Sequence, residues 1–404
     1  MYINRNIEKT IENVNKTFPV LLITGPRQVG KTTMLKKLAS DDRQYVTLDD
    51  PMIREMAVNE PALFLQRYVP PVIIDEIQYA PGLLTYIKMY VDEKKQNGLF
   101  WLTGSQMFHM MKHASESLAG RVGILHLLGL SNAEVLGKTS EHFIIDKDKL
   151  LQEVKTLKSQ TLTEVYQTIF KGGMPVLYTE DTNTDIFFAS YMQTYLQRDI
   201  RDITQVGDEL AFFRFITCVA ARTAQMLNYA EIAKEVGISA PTAKQWLSIL
   251  VSSGIVYLLE PYYNNALKRI VKTPKLYFLD TGLCTYLTKW GTPETLEAGA
   301  MSGAIFETWV VSEIIKSYYN EGKRPPLYYY RDKDMKEIDV IIYENGTVYP
   351  VEIKKSGNPG KDAIKNFGVL EANGLKVGIG AVICMTQDLI PIDKNNWYVP
   401  VWLI

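Results

Sequence analysis

The sequence predicts an α/β chain in three parts. A parallel sheet with flanking helices is expected over residues 1–137. A helical region follows over 138–222, with a winged-helix-like module over 223–292. A second α/β unit is expected over 293–404. Three observations predict this. Short continuous apolar runs alternate with helical stretches in the first third, the pattern of a parallel sheet buried on both faces. A Gly-x-x-x-x-Gly-Lys-Thr pattern follows the first apolar run and opens a helix. Near the end, Asn345-Gly346 separates two apolar runs behind one long helix.

The elements follow in order. Phe18–Thr24 reads as a strand and Lys31–Ser40 as a helix. Gln44–Leu48 and Val72–Asp75 read as strands, Pro81–Asn97 as a helix by its apolar spacing, and Leu99–Thr103 and Ile124–Leu128 as further strands. Residues 138–222 carry long polar side chains and read mainly as helix, broken at Gly172–Pro175. The last part opens with a helix over Ala304–Tyr319 and continues as strands.

Gly25-Pro26-Arg27-Gln28-Val29-Gly30-Lys31-Thr32, with Thr33 behind it, has the residue types a phosphate cradle needs. Glycine lets backbone N–H groups turn inward, and the helix that follows adds its positive end. The expected ligand is ATP with Mg²⁺: Lys31 reaches the β and γ phosphates and the Thr32 hydroxyl binds the metal. Val72-Ile-Ile-Asp75-Glu76 supplies a strand ending in two carboxylates. Asp75 is placed to hold the metal and Glu76 to polarise water. Trp101-Leu-Thr103-Gly-Ser105 is a third apolar strand, ending in hydroxyls. One of them beside the γ-phosphate orients the attacking water, or the segment is ordinary turn chemistry.

GPRQVGKTT, VIIDEIQ, LTGSQ and SLAGR (Ser117–Arg121) together resemble a prokaryotic branch of the AAA+ ATPases. That branch is paired with a C-terminal domain of unknown function, DUF4143. LDDPMIREMA (Leu48–Ala57) and YLQRDIRDI (Tyr195–Ile203) are similar to it as well, so the likeness runs over nearly the whole chain. The resemblance implies Asp75 and Glu76 as Walker B residues and Ser105 as a sensor. It also implies an arginine finger supplied between copies of a homo-oligomer, by Arg121 or by Arg198, with Arg121 the first choice. The plain alternative for either arginine is a surface ion pair or a packed stem with a solvated head.

Tyr229–Val236 reads as a helix ended by Gly237, with Ser239 capping a second helix over Ala240–Ser252. Gly254 ends that helix. Ile255–Glu260 reads as a strand leading to a wing near Asn264–Lys268. The spacing suits a helix-turn-helix. Its second helix offers Thr242, Lys244 and Gln245, and the wing Lys268, Arg269 and Lys272. The module either contacts DNA or is architectural.

If Asn345 and Gly346 are the loop of a hairpin, Glu344 pairs with Thr347 and Asp339 stands opposite Glu352. Opposed carboxylates about 4.5–5.5 Å apart are unfavourable unless something positive lies between them. A divalent metal ion suits carboxylate oxygens. Lys354 shares the face of Glu352, and Glu307 on the preceding helix offers a third carboxylate. This order resembles the PD-(D/E)xK nuclease fold, a restriction-endonuclease-like architecture. There the acids bind Mg²⁺ and the lysine steers the attacking water, so the resemblance implies catalytic roles for Asp339, Glu352 and Lys354. The alternative is ordinary ion pairing, with Glu337 facing Lys354.

Composition sets the bounds. Of 404 residues, 44 are Lys or Arg and 45 Asp or Glu, so no global basic field marks a nucleic-acid partner and any DNA contact is local. The first twenty residues scatter charge through the segment, unlike a secretory signal, and no apolar run reaches the roughly 18–20 residues of a membrane span. Three cysteines far apart (Cys218, Cys284, Cys384) predict neither a disulfide framework nor a zinc site. The expectation is a cytoplasmic chain with no membrane partner. Two further readings stay open: a scaffold that binds nucleotide without cleaving nucleic acid, and an effector acting on RNA.

Overall fold

The apolar runs of the first third become the strands β1 (Val20–Thr24), β2 (Gln44–Thr47), β3 (Val72–Asp75), β4 (Phe100–Gly104) and β5 (Val122–His126). A computed structural model of the chain describes residues 2–104, 117–195, 209–262 and 273–404. The five strands form one sheet in the order β2-β3-β4-β1-β5, and every neighbouring pair is parallel. β1, β3 and β4 are buried along their whole length, as central strands covered on both faces must be.

β5 lies two residues earlier than the apolar run predicts. Its register runs from Val20↔Val122 to Thr24↔His126. Gly123 hides its start: a Cβ there would meet the Val14 Cγ1 at 2.3 Å, because the Glu8–Thr17 helix packs against that spot. The expected Pro81–Asn97 helix forms over Leu83–Lys94, behind a short 3₁₀ turn at Ile77–Tyr79.

Residues 138–222 are mainly helical where they are described, after a non-helical stretch over 138–146. Helices at Lys147–Thr156, Leu162–Lys171, Val176–Thr179, Thr184–Tyr195 and Glu209–Ala220 flank the break at Gly172. Helices Tyr229–Val236 and Ala240–Ser252 follow. Gly237, at φ 83°, makes the turn between them, and the Ser239 hydroxyl caps the second by accepting from the Thr242 N–H at 3.2 Å. β6 (Gln225–Met226), β7 (Val256–Leu259) and β8 (Lys275–Phe278) add an antiparallel sheet in the order β6-β8-β7. The expected wing with Lys268, Arg269 and Lys272 lies outside the described residues.

The last part begins with the Ser302–Asn320 helix. β9 (Leu327–Arg331), β10 (Glu337–Glu344), β11 (Thr347–Lys354), β12 (Gly380–Cys384), β13 (Ile390–Pro391) and β14 (Asn396–Pro400) form a mixed sheet ordered β13-β14-β12-β11-β10-β9. β10 and β11 are a hairpin with Glu344 opposite Thr347, and Asn345 and Gly346 both take positive φ, 49° and 77°. Pro350 is tolerated because it pairs with Ile341 three steps from the turn, where its missing N–H faces away from β10. The parallel ladder with β12 starts only at Val351.

One buried apolar cluster runs through all three parts, from Leu21 and Ile23 through Phe212 and Trp246 to Ile314 and Trp402. A second covers the other face of the first sheet and is built from that domain alone, around Phe64, Ile74 and Phe100. The architecture is α/β: a parallel P-loop-type sheet, a helical middle and a C-terminal mixed sheet. No helix among the described residues is long and apolar enough to cross a membrane.

Candidate functional site

The strand order puts β4 between β1 and β3, so the carboxyl ends of these three strands meet in one crevice. Gly25 leaves β1 at φ 148°, and a Cβ there would lie 1.9 Å from the Leu127 carbonyl oxygen. Gly30, at φ 90°, caps the Lys31–Leu38 helix in the left-handed region. The loop between them turns back on itself, and the Lys31 ammonium donates to the carbonyls of Gly25 at 2.9 Å and Pro26 at 2.7 Å.

Asp75 ends β3 and collects three hydroxyls. Thr32 donates to its Oδ1 at 2.9 Å, the Thr103 hydroxyl donates to the same oxygen, and Tyr45 donates to Oδ2 at 3.0 Å. Burial and the Asp75 charge hold the Tyr45 phenol up at about 12, so it stays a donor. Thr103 also accepts the Glu76 N–H at 3.2 Å. It therefore ties both carboxylate residues to the end of β4. Glu76 takes a left-handed backbone at φ 58°, and the Gln78 amide donates to its carboxylate. A hydroxyl and a carboxylate oxygen 2.9 Å apart beside a phosphate loop form a donor set that suits Mg²⁺.

A cavity of about 460 Å³ opens here, lined by Arg27, Gln28, Gly30, Lys31, Thr32, Thr33, Glu76 and, from the middle region, Thr194. A second, of about 330 Å³, shares Gln28, Gly30 and Thr33 and extends to Tyr2, Ile3, Pro175, Val176 and Glu180. Both cavities thus have walls from outside the first domain. Pro26 itself packs on the middle module, since a Cβ on Gly254 would meet its ring at 3.1 Å.

Arg5 escapes sequence reasoning, because nothing in the opening residues marks it. It is buried and donates to the carbonyl of Val29 in the phosphate loop at 2.9 Å and to that of Leu128 at 2.8 Å. Its Nε stands 3.2 Å from the buried Glu134 carboxylate. Of the remaining expected residues of this site, Ser105 and Arg198 lie outside the described residues. Arg121 precedes β5, at the end of the sheet opposite the phosphate loop, and forms an ion pair with Asp92.

The C-terminal residues singled out from the sequence also come together, with an addition. The Asp339 carboxylate accepts the Ile353 N–H at 2.9 Å, and the Lys354 ammonium lies 2.7 Å from Glu352 and 3.8 Å from Asp339. Lys275 of β8 enters from the middle module. Its Nζ is 2.6 Å from Glu337, 3.5 Å from Glu307 and 3.9 Å from Asp339, and Tyr277 donates to Glu307 at 2.7 Å. Glu337 pairs with Arg331 at 3.1 Å and with Lys275, in place of the Lys354 that strand register alone would give it. Burial and the neighbouring Asp339 charge push both Glu307 and Glu352 up to about 7. Burial pulls the Lys275 ammonium down, but Glu307, Asp339 and Glu337 outweigh it and the net shift is upward. The positive charge expected between these acids is therefore an ammonium. No group of three His, Cys, Asp or Glu side chains among the described residues is placed to hold a metal ion.

On the Ala240–Ser252 helix, Lys244 and Gln245 are exposed while Ala243 and Trp246 are buried beneath them.

Comparison with known proteins gives three family matches. Residues 17–136 match the AAA domain, residues 162–294 a domain of unknown function (DUF8612), and residues 302–404 a domain of unknown function (DUF4143). The uncharacterized protein Rv2008c of Mycobacterium tuberculosis is 28% identical over 344 residues, covering 84% of this chain and 71% of the relative. Mb2031c of Mycobacterium bovis, also uncharacterized, matches to the same extent. Among solved structures, the Walker-type ATPase PABY2304 of Pyrococcus abyssi is similar with a TM-score of 0.45 and 14% identity, over 71% of this chain and 96% of that one. The RuvB Holliday junction branch migration motor of Thermotoga maritima follows at 0.29 and 16%, over 62% of this chain and 88% of that one.

Proposed function

We propose, for a chain that carries an AAA domain at residues 17–136 and a DUF4143 domain at residues 302–404, that it binds ATP with Mg²⁺, hydrolyses the γ-phosphate and passes the nucleotide state to its C-terminal half. One observation carries this reading: Thr32, Asp75, Thr103 and Glu76 are joined by hydrogen bonds at the foot of the phosphate loop. Lys31 and the loop amides take the phosphates, and Thr32 and Asp75 hold the metal, which when bound neutralises the charge on the transferring phosphoryl group. Glu76, standing in the same cavity, polarises the attacking water. Thr103 fixes the spacing of the two carboxylates. The pocket past Gly30 takes the nucleoside end. Ser105 serves as the sensor and Arg121 or Arg198 as a finger between copies, a role for which Arg121 must leave its ion pair with Asp92.

The helix-turn-helix and the C-terminal domain form the output side, associated with DNA or with a protein partner. The expected nuclease chemistry needs a metal at Glu307, Asp339 and Glu352, and the side chains as they stand do not form such a site. The lysine-filled cluster favours the non-cleaving form of this reading: nucleotide state regulates binding, and the terminal domain does not cut.

The test is ATP turnover with plasmid, single-stranded DNA and RNA present. Lys31→Ala is expected to lose nucleotide binding. Glu76→Gln is expected to bind ATP and lose about 10²–10⁴-fold in kcat, the contribution typical of a positioned general base. A fully active Glu76→Gln protein would sink the assignment. Metal-dependent cleavage that disappears in Asp339→Ala would overturn the non-cleaving form and leave the ATPase reading intact.

A further inference from the structure

We infer that Lys275 is a built-in counter-ion for the C-terminal carboxylate cluster, a contact by which the middle module keeps that cluster closed to a divalent metal ion. The inference goes beyond the reading above and stands on the cluster's geometry, independent of ATP turnover.

The contact is made between two domains. Lys275 and Tyr277 lie two residues apart on β8, so their side chains leave the strand on one face. That face meets Glu307 of the Ser302–Asn320 helix and Glu337 and Asp339 of β10. The Lys275 side chain is 4% exposed, so its ammonium sits among the acids with little water to share their charge. An ammonium and a divalent ion compete for the same carboxylate oxygens, and held within about 4 Å of each other the two cations repel strongly in a buried site.

Several bonds tie the middle module to the C-terminal part around β8. The Tyr329 hydroxyl donates to the Thr273 carbonyl at 2.6 Å, the Tyr262 N–H donates to the Tyr329 carbonyl at 2.7 Å, and the hydroxyls of Thr223 and Thr308 meet at 2.8 Å. Lys354 closes the far side of the cluster against Glu352 and Asp339. Four carboxyls (Glu307, Glu337, Asp339, Glu352) thus face three cations: Lys275, Lys354 and Arg331. Removing Lys275 leaves the four carboxyls facing two cations, and a divalent ion supplies the positive charge that is lost. The same change opens the space its ammonium filled.

The experiment measures Mn²⁺ binding to the full chain without nucleotide, by the electron paramagnetic resonance signal of the free ion. Melting temperature with and without Mn²⁺ is recorded alongside. Wild type is expected to show no Asp339-dependent site. Lys275→Met is expected to gain one, at least about tenfold tighter than any wild-type binding, with a rise in melting temperature at saturating Mn²⁺. Lys275→Arg is expected to stay closed, and Lys275→Met combined with Asp339→Asn to lose the gained site. Lys275→Gln, which keeps donors and removes the charge, replaces Lys275→Met should the latter fail to fold. Wild-type binding equal to that of Lys275→Met and abolished by Asp339→Asn would overturn the inference. So would a folded Lys275→Met protein that gains no site. Loss of the ATPase reading would show instead as wild-type turnover insensitive to Lys31→Ala, and it leaves these outcomes unchanged.

Discussion

Arg5 carries more of the nucleotide site than its place near the start of the chain implies. It ties the phosphate loop at Val29 to the segment leaving β5 at Leu128, and its charge answers Glu134, whose side chain is fully buried. Removing one partner of a buried pair leaves an uncompensated charge, at a cost of about 3–5 kcal/mol. Arg5→Ala is therefore expected to lower the unfolding free energy obtained from urea titration by that amount and to weaken ATP binding, because the Val29 carbonyl loses its anchor. Arg5→Lys is expected to recover part of the stability and less of the affinity, since one ammonium cannot reproduce the guanidinium fork. Urea titration and equilibrium binding of a fluorescent ATP analogue read the two effects. Wild-type affinity in Arg5→Ala would show that the loop holds its shape without this anchor. Residues of this kind are not legible in a sequence, because partners such as Leu128 and Glu134 lie more than a hundred positions away.

At the scale of elements the sequence was most readable where local chemistry decides the backbone. The β10–β11 hairpin follows directly from Asn345-Gly346, and the helix ends at Gly237 and Ser239 from their capping roles. A sharp expectation follows for the hairpin. A Cβ on Gly346 meets nothing within 4 Å, so Gly346→Ala pays only the conformational cost of φ 77°. That cost is roughly 1–2 kcal/mol, and a thermal melt measures it. A loss well above this range would show that the turn has contacts the backbone does not reveal. Tertiary packing overrides the apolar pattern at β5. β5 starts early because Gly123 makes room for the Glu8–Thr17 helix, and a glycine is silent in an apolar count. The carboxylate cluster was half legible for the same reason. Hairpin register brings Asp339 and Glu352 together, but no register argument reaches Lys275, which arrives from another sheet.

At the scale of the molecule, residues 128–134 are where the domains meet. Arg5 bonds Leu128, the Gly173 carbonyl accepts the Leu130 N–H at 2.6 Å, and Glu313 accepts the Asn132 N–H at 2.8 Å. Lys316 donates to the Leu130 carbonyl at 3.1 Å. Beside this segment, the Thr24 hydroxyl and the His126 ring are 2.7 Å apart, and that ring meets Tyr319 edge-on at 5.3 Å. This short stretch of chain therefore joins the segment behind the phosphate loop to the Ser302–Asn320 helix by hydrogen bonds. The apolar cluster that crosses all three parts has a consequence for how the protein is made. The inner face of the first sheet, at Leu21, Ile23 and Leu125, shares its core with the Ser302–Asn320 helix. During synthesis that face waits for a helix nearly two hundred residues downstream. At roughly 5–20 residues per second, the wait is about 10–40 s with greasy surface showing on the ribosome. A fragment of residues 1–137 is expected to bind a hydrophobic dye and to melt without a sharp transition, whereas the full chain melts cooperatively. A crisp, dye-free melt of the fragment would show that its own helices suffice. Otherwise the nascent first domain is a natural client for a chaperone, and the last quarter of the chain completes the fold of the first.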